Sequence, residues 1–188
     1  LKDAGRSGEK AKKEVIASID RLVYYAGWSD KYESVFGSVN PVASPHWNVT
    51  SAEPVGVVGL LAPDEPGLLA AVTLVASSIV AGNAVVLIAS ETAPLPAISF
   101  AEVVATSDVP GGVVNVLTGE REELVSVLAS HKDVNAIIDG SGDDGIAKTV
   151  AEGAGINVKR VPRWDLTAAE WAKPTAEDPY RILDTVEF

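Results

Sequence analysis

Apolar residues recur along this chain first with a helical period, then in short blocks bounded by glycine and proline. In residues 9–25, Val15, Ile16, Ile19, Leu22 and Val23, with Ala26 just beyond, share one helical face. Lys10, Lys12, Lys13, Glu14, Asp20 and Arg21 mostly take the other, which predicts an amphipathic helix packed on something larger. Residues 1–8 ahead of it are polar and read as a loose arm, and Gly37, Pro41 and Pro45 beyond it mark irregular chain. Residues 47–51 alternate like an exposed strand, and residues 54–62 form a buried β run.

A regular alternation follows. Residues 67–81 are apolar and helical, closed by Gly82-Asn83. Residues 84–88 are a near-continuous apolar run, hence a strand covered on both faces. The next helix opens at Thr92-Ala93-Pro94 and reaches about Ser107, and Pro110-Gly111-Gly112 turns the chain into a strand over 113–117. A helix over 120–130 carries Glu120, Glu122 and Glu123 in its first turn, where the helix dipole favours them. A strand over 134–138 and a helix over 143–154, ended by Gly155, complete the series. Strands separated by helices at this spacing imply right-handed βαβ units and a parallel sheet. The expected fold is α/β, a doubly wound Rossmann-like parallel sheet with an N-terminal amphipathic helix and a C-terminal extended tail. Residues 1–53 are read as a helical arm and strand packed on the core, 54–161 as the central domain and 162–188 as the tail, together one structural domain. The last stretch, 180–188, can add a strand to its own sheet or to a neighbouring subunit.

Composition narrows the function classes. The 188 residues are 47% hydrophobic, enough for a buried core, and a net charge of −11 repels phosphate backbones and anionic lipid. Nucleic-acid and membrane partners are therefore not expected. The longest apolar stretch, 67–82, is interrupted by Thr73, Ser77 and Ser78, so no membrane span or signal peptide is read and a cytoplasmic location is expected. The chain begins at Leu1 rather than methionine, as a trimmed polypeptide does. It holds no cysteine, which removes disulfides, thiolate metal sites and thiol nucleophiles from its residues.

The run Pro54-Val55-Gly56-Val57-Val58-Gly59-Leu60-Leu61-Ala62-Pro63 resembles the aldehyde dehydrogenase signature that leads into that family's catalytic asparagine. The likeness continues through Ala81-Gly82-Asn83-Ala84-Val85-Val86-Leu87 and Ser90-Glu91, then Pro110-Gly111-Gly112-Val113-Val114-Asn115-Val116-Leu117-Thr118-Gly119. It ends with Ser130-His131, Asp133-Val134, Gly140-Ser141 and Asn157-Val158-Lys159-Arg160-Val161. Residues 54–160 thus resemble the cofactor-binding half of an aldehyde dehydrogenase, and residues 9–53 fit the helix and strand that precede it in the family. Residues 19–28 are similar to the subset with a truncated or duplicated, non-catalytic second half.

Departures from the family pattern carry the functional expectation. The family attacks its aldehyde with a cysteine thiolate, absent here. Its Trp-Asn pair after the proline corresponds to Asp64-Glu65, and an ionised carboxylate offers no donor to a developing oxyanion. The Lys-Pro-Ser-Glu run that holds the adenosine ribose corresponds to Ile88-Ala89-Ser90-Glu91, leaving Glu91 as the ribose acceptor. Where a general-base glutamate is expected, Pro162-Arg163-Trp164-Asp165 stands.

The resemblance implies NAD as the cofactor, with Glu91, Gly140, Ser141 and Gly145 as its binding residues, and no catalytic or metal-ligating residue. NAD is favoured over NADP because Glu91 repels a 2′-phosphate. Gly140-Ser141-Gly142-Asp143-Asp144-Gly145 satisfies G-x-G-x-x-G between a strand and a helix, the setting of a pyrophosphate cradle. The same residues equally form an acidic, self-capped helix start, because Asp143 and Asp144 sit where phosphate charge would lie. Asp64 and Glu65 read either as an acid/base or cation-gripping couple or as solvated loop acids. Trp28, Trp47, Trp164 and Trp171 lie outside the parallel core, as subunit or domain contacts or as small satellites of the core. The expected role is a catalytically inactive oligomeric or accessory subunit, partnered by its own copies or by a full-length aldehyde dehydrogenase subunit. The alternatives are the NAD-binding half of an aldehyde oxidoreductase completed by another chain, and a nucleotide sensor.

Overall fold

The computed structural model describes residues 8–188; the loose arm read over 1–8 lies outside the described residues except for Gly8, which opens the first helix. In chain order the elements are α1 (Gly8–Ala26), α2 (Tyr32–Phe36), β1 (Ser38–Val39), β2 (Val49–Thr50), β3 (Glu53–Pro54), β4 (Val57–Leu61) and α3 (Gly67–Ile79). Then come β5 (Ala84–Ile88), α4 (Leu95–Ala105), β6 (Val114–Leu117), α5 (Arg121–Ser130), β7 (Ala136–Asp139), α6 (Asp144–Ala154), α7 (Ala168–Trp171) and β8 (Val186–Glu187).

The central sheet is wholly parallel, in the order β6-β5-β4-β7. Beyond β7 the chain returns alongside it, Ile137 donating to the Arg160 carbonyl at 2.8 Å and Trp164 to the Asp139 carbonyl at 2.8 Å, so β7 is not left as an open edge. Side chains alternate between two cores. Val58, Leu60, Val85, Leu87, Ala136 and Ile138 pack with α3 and α4 on one face, while Leu61, Ile88 and Ile137 pack with α5 and α6 on the other. A strand buried on both sides needs an apolar residue at every position, which is why these runs do not alternate in polarity.

Two glycines set the spacing. Gly82, at φ 93°, turns the chain from α3 into β5. Gly153 lets α6 cross α5 so closely that a Cβ there would lie 2.6 Å from the Ala129 Cβ.

Three expectations are revised. The apolar face of α1 is not its buried face: Val15, Ile16, Ile19 and Val23 are 40–67% exposed, and Ala11, Glu14, Ser18, Arg21 and Tyr25 are buried instead. The physical reason is that Glu14 and Arg21 both find partners across the contact with α3. Glu14 Oε1 accepts from the amides of Leu68 and Leu69 at 3.0 and 3.2 Å, filling the donors at the start of α3, whose Pro66 cap offers no side-chain acceptor. Next, Trp164 and Trp171 do not lie outside the parallel core: both are buried in its α3-side cluster, rings 6.1 Å apart. The tail folds back because Arg181 stacks over Trp164 at 4.1 Å and the Trp164 indole donates to Asp184 at 2.8 Å. Finally, residues 179–185 are a 3₁₀ turn rather than extended, and β8 pairs antiparallel with β3 of the same chain, outside the central sheet.

Candidate functional site

Chain order reverses between β4 and β7, since β5 and β6 lie on one side of β4 and β7 on the other. In such sheets the crevice beyond the carboxyl ends of the strands at that point is where ligands bind. Here it is bounded by the turns after β4, β5 and β7 and by the first turns of α5 and α6.

The sequence-predicted residues are near it but spend their polar groups on the protein. Glu91 Oε2 accepts from the Arg121 amide at 2.9 Å, capping α5. Ser141 donates through N and Oγ to Asp139 Oδ1 at 2.9 and 2.6 Å, and its Oγ accepts from the Asp143 amide at 3.2 Å. Asp143 Oδ1 takes the amides of Gly145 and Ile146 at 2.7 and 3.0 Å. Of the two readings of this turn, the geometry is the self-capped start, and the Ile146 and Gly145 amides hold the Asp143 carboxyl below its ordinary value. Asp144 pairs with Arg163 at 2.8 Å. Gly140 has no room for a side chain, because a Cβ would stand 2.9 Å from the Leu61 carbonyl and 3.4 Å from Trp171.

Sequence reasoning missed Arg121. Its side chain is buried, and Nη2 reaches the Ala62 carbonyl at 3.1 Å and Asp64 Oδ1 at 2.9 Å. The available signal was a single cation inside the acidic stretch 120–123. Asp64 Oδ1 also accepts from Ser90 Oγ at 2.8 Å and from the amides of Glu91 and Thr92 at 3.0 and 3.4 Å. Asp64 is therefore not a solvated loop acid. Partial burial pushes its carboxyl up, but Ser90, the Arg121 charge and the Thr92 amide outweigh that and hold it below the ordinary value. A depressed carboxyl contributes stability above its unfolded pKa and loses it as pH falls through the folded one. The urea midpoint of Asp64→Asn should accordingly lose part of the parent's fall on acidification below about pH 4. Parallel midpoint-against-pH curves for the two proteins would remove Asp64 from the acid transition.

Between α5 and α6 lies a cavity of about 570 Å³ lined by Glu91, Glu120, Glu122 and Asp143, with Arg121 and Ile146 among its other walls. Gly145 lines it too, whereas Gly140 and Ser141 do not. The site thus brings together two of the four predicted residues. Among the described residues no group of three His, Cys, Asp or Glu could hold a metal ion, and no helix is long and apolar enough to cross a membrane.

The aldehyde dehydrogenase family model matches residues 1–162. The chain belongs to the aldehyde dehydrogenase family. It is 37% identical over 141 residues to mitochondrial aldehyde dehydrogenase of Sus scrofa, which covers 74% of this chain and 26% of that protein. It is 37% identical over 155 residues to human cytosolic 10-formyltetrahydrofolate dehydrogenase, covering 80% of this chain and 17% of the relative. Among solved structures, a point mutant of Staphylococcus aureus betaine aldehyde dehydrogenase in complex with NAD+ superposes with a TM-score of 0.77 at 26% identity, over 85% of this chain and 31% of that one. Lactaldehyde dehydrogenase from Escherichia coli gives 0.75 at 27% identity, over 85% and 33%. The chain spans a third or less of the length of these family members. Within the family frame, Glu65 falls where the resemblance expects the oxyanion donor, and its neighbour Asp64 is committed to Arg121.

Proposed function

We propose that this chain is a non-catalytic, cytoplasmic member of the aldehyde dehydrogenase family, serving as an oligomeric or accessory subunit. The observation that carries the reading is the pair of carboxylates, Asp64-Glu65, where the resemblance expects Trp-Asn, with Asp64 closed on Arg121 at 2.9 Å. Glu65, at the position that needs a hydrogen-bond donor for a developing oxyanion, brings a carboxyl in place of an amide donor, and losing one such donor costs ~10²–10³ in rate. The amides at the start of α6, which would meet a pyrophosphate, are taken by Asp143. Support for assembly comes from the β1–β2 ladder, where Val39, Val49 and the neighbouring Trp47 are 64, 62 and 83% exposed. Copies of this chain or a full-length aldehyde dehydrogenase subunit are the proposed partners.

A second reading, the NAD-binding half of an enzyme completed by another chain, is favoured by the cavity of about 570 Å³ beside Glu91 and Gly145, a volume typical of small-molecule sites. The structural relative crystallised with NAD+ is consistent with it. Calorimetric titration separates the two. The first predicts no saturable heat with NAD or NADP at millimolar concentration. Saturable NAD binding, weakened in Glu91→Ala or Ser141→Ala, would replace it with the second.

A further inference from the structure

We propose that the β5–α4 turn together with Arg121 is a receptor for a small oxyanion, a carboxylate or phosphate group, and that Asp64 is its built-in occupant. Four donors converge on one atom, Asp64 Oδ1: Ser90 Oγ at 2.8 Å, Arg121 Nη2 at 2.9 Å, and the Glu91 and Thr92 amides at 3.0 and 3.4 Å. A carboxylate oxygen has about two lone-pair sites, so this is more donation than an ordinary surface pair receives. Successive backbone amides beside a hydroxyl and a guanidinium are the elements of anion nests.

The two sides of the contact are unequal. Arg121 is 9% exposed, is anchored on α5, and shares Nη2 with the Ala62 carbonyl at 3.1 Å. Its Nε is buried and has no hydrogen-bond partner among the described residues. A guanidinium so placed requires an anion, because a buried charge without one is costly. Asp64, by contrast, sits on the loop between β4 and α3 with its side chain 39% exposed. Arg121 is thus set in a helix and Ser90 is buried, while the acceptor is the half-exposed member on its own loop, so the acceptor is the replaceable part. Arg121 also lines the cavity of about 570 Å³, which gives a ligand with an acidic end a route to the same guanidinium.

Asp64→Ala vacates the receptor, and sodium formate is the probe that restores the lost carboxylate. At constant ionic strength, formate should bind this variant saturably and raise its thermal midpoint. The parent, where Asp64 competes, and the double variant Asp64→Ala/Arg121→Ala should bind it about tenfold or more weaker, as losing a charge-assisted hydrogen bond implies. Phosphate in a parallel arm distinguishes the source: tighter formate makes the receptor one for carboxylates, tighter phosphate one for phosphate groups. Asp64→Ser repeats the measurement with a polar replacement. Equal responses to formate and chloride, or equal binding by the double variant, overturn the proposal. So does failure of both single variants to fold with and without formate, since rescue is what the receptor predicts. None of these outcomes depends on whether the protein binds NAD.

Discussion

Replacing Arg21 by methionine lowers the unfolding free energy by about 3 kcal/mol, read from urea denaturation monitored by circular dichroism. Arg21 is 2% exposed and uses all three guanidinium nitrogens. Nη1 donates to Thr73 Oγ1 at 2.9 Å and to the Ala176 carbonyl at 3.3 Å. Nη2 donates to the carbonyls of Trp171 and Lys173 at 3.2 and 3.4 Å, and Nε to Glu177 Oε1 at 3.2 Å. One side chain therefore ties α1 to α3 and to the segment 171–177. Methionine keeps much of the buried length but strands the carbonyls of the buried residues Trp171 and Ala176 and leaves the Glu177 carboxylate without this partner. Removing one partner of a buried pair costs about 3–5 kcal/mol, and the low end applies because Glu177 keeps some solvent contact. Lysine does not rescue, because a point charge cannot serve five acceptors spread around a planar fork. A loss under about 1 kcal/mol would mean the hub is incidental to the fold.

Trp171→Ala carries the other large effect, about 3–5 kcal/mol. Its ring is completely buried, within the same cluster as Leu60, Leu74 and Ile138. It also lies against Gly140, so truncation removes the wall behind the turn that follows β7. Trp171→Phe should cost roughly half as much, since most of the volume is retained. Thermal unfolding followed by calorimetry orders the three proteins. If alanine and phenylalanine variants melt together with the parent, the tail is not part of the cooperative core.

The candidate site was legible only in outline. Glu91, Gly140, Ser141 and Gly145 were singled out because their order along the chain matches a family pattern, and of these Glu91 and Gly145 line the cavity between α5 and α6. What their side chains and amides do there was not legible. Asp143 could be read either as an obstacle to phosphate or as a cap, and only its 2.7 and 3.0 Å bonds to Gly145 and Ile146 select the cap. Arg121 was invisible because its partners, Ala62 and Asp64, are 59 and 57 residues away.

The parallel sheet and the placing of its helices were determined by the sequence alone, because strands buried on both faces need unbroken apolar runs and glycine or proline must punctuate them. Family membership followed from those same runs, whose spacing is a local property. Tertiary structure decided which face of α1 is buried, where Trp164 and Trp171 sit, and which cation neutralises Asp64. Those outcomes turn on pairings between segments distant in sequence. A polar residue such as Glu14 or Arg21 is an error in a core until its partner arrives from elsewhere in the chain, and periodicity carries no record of that partner.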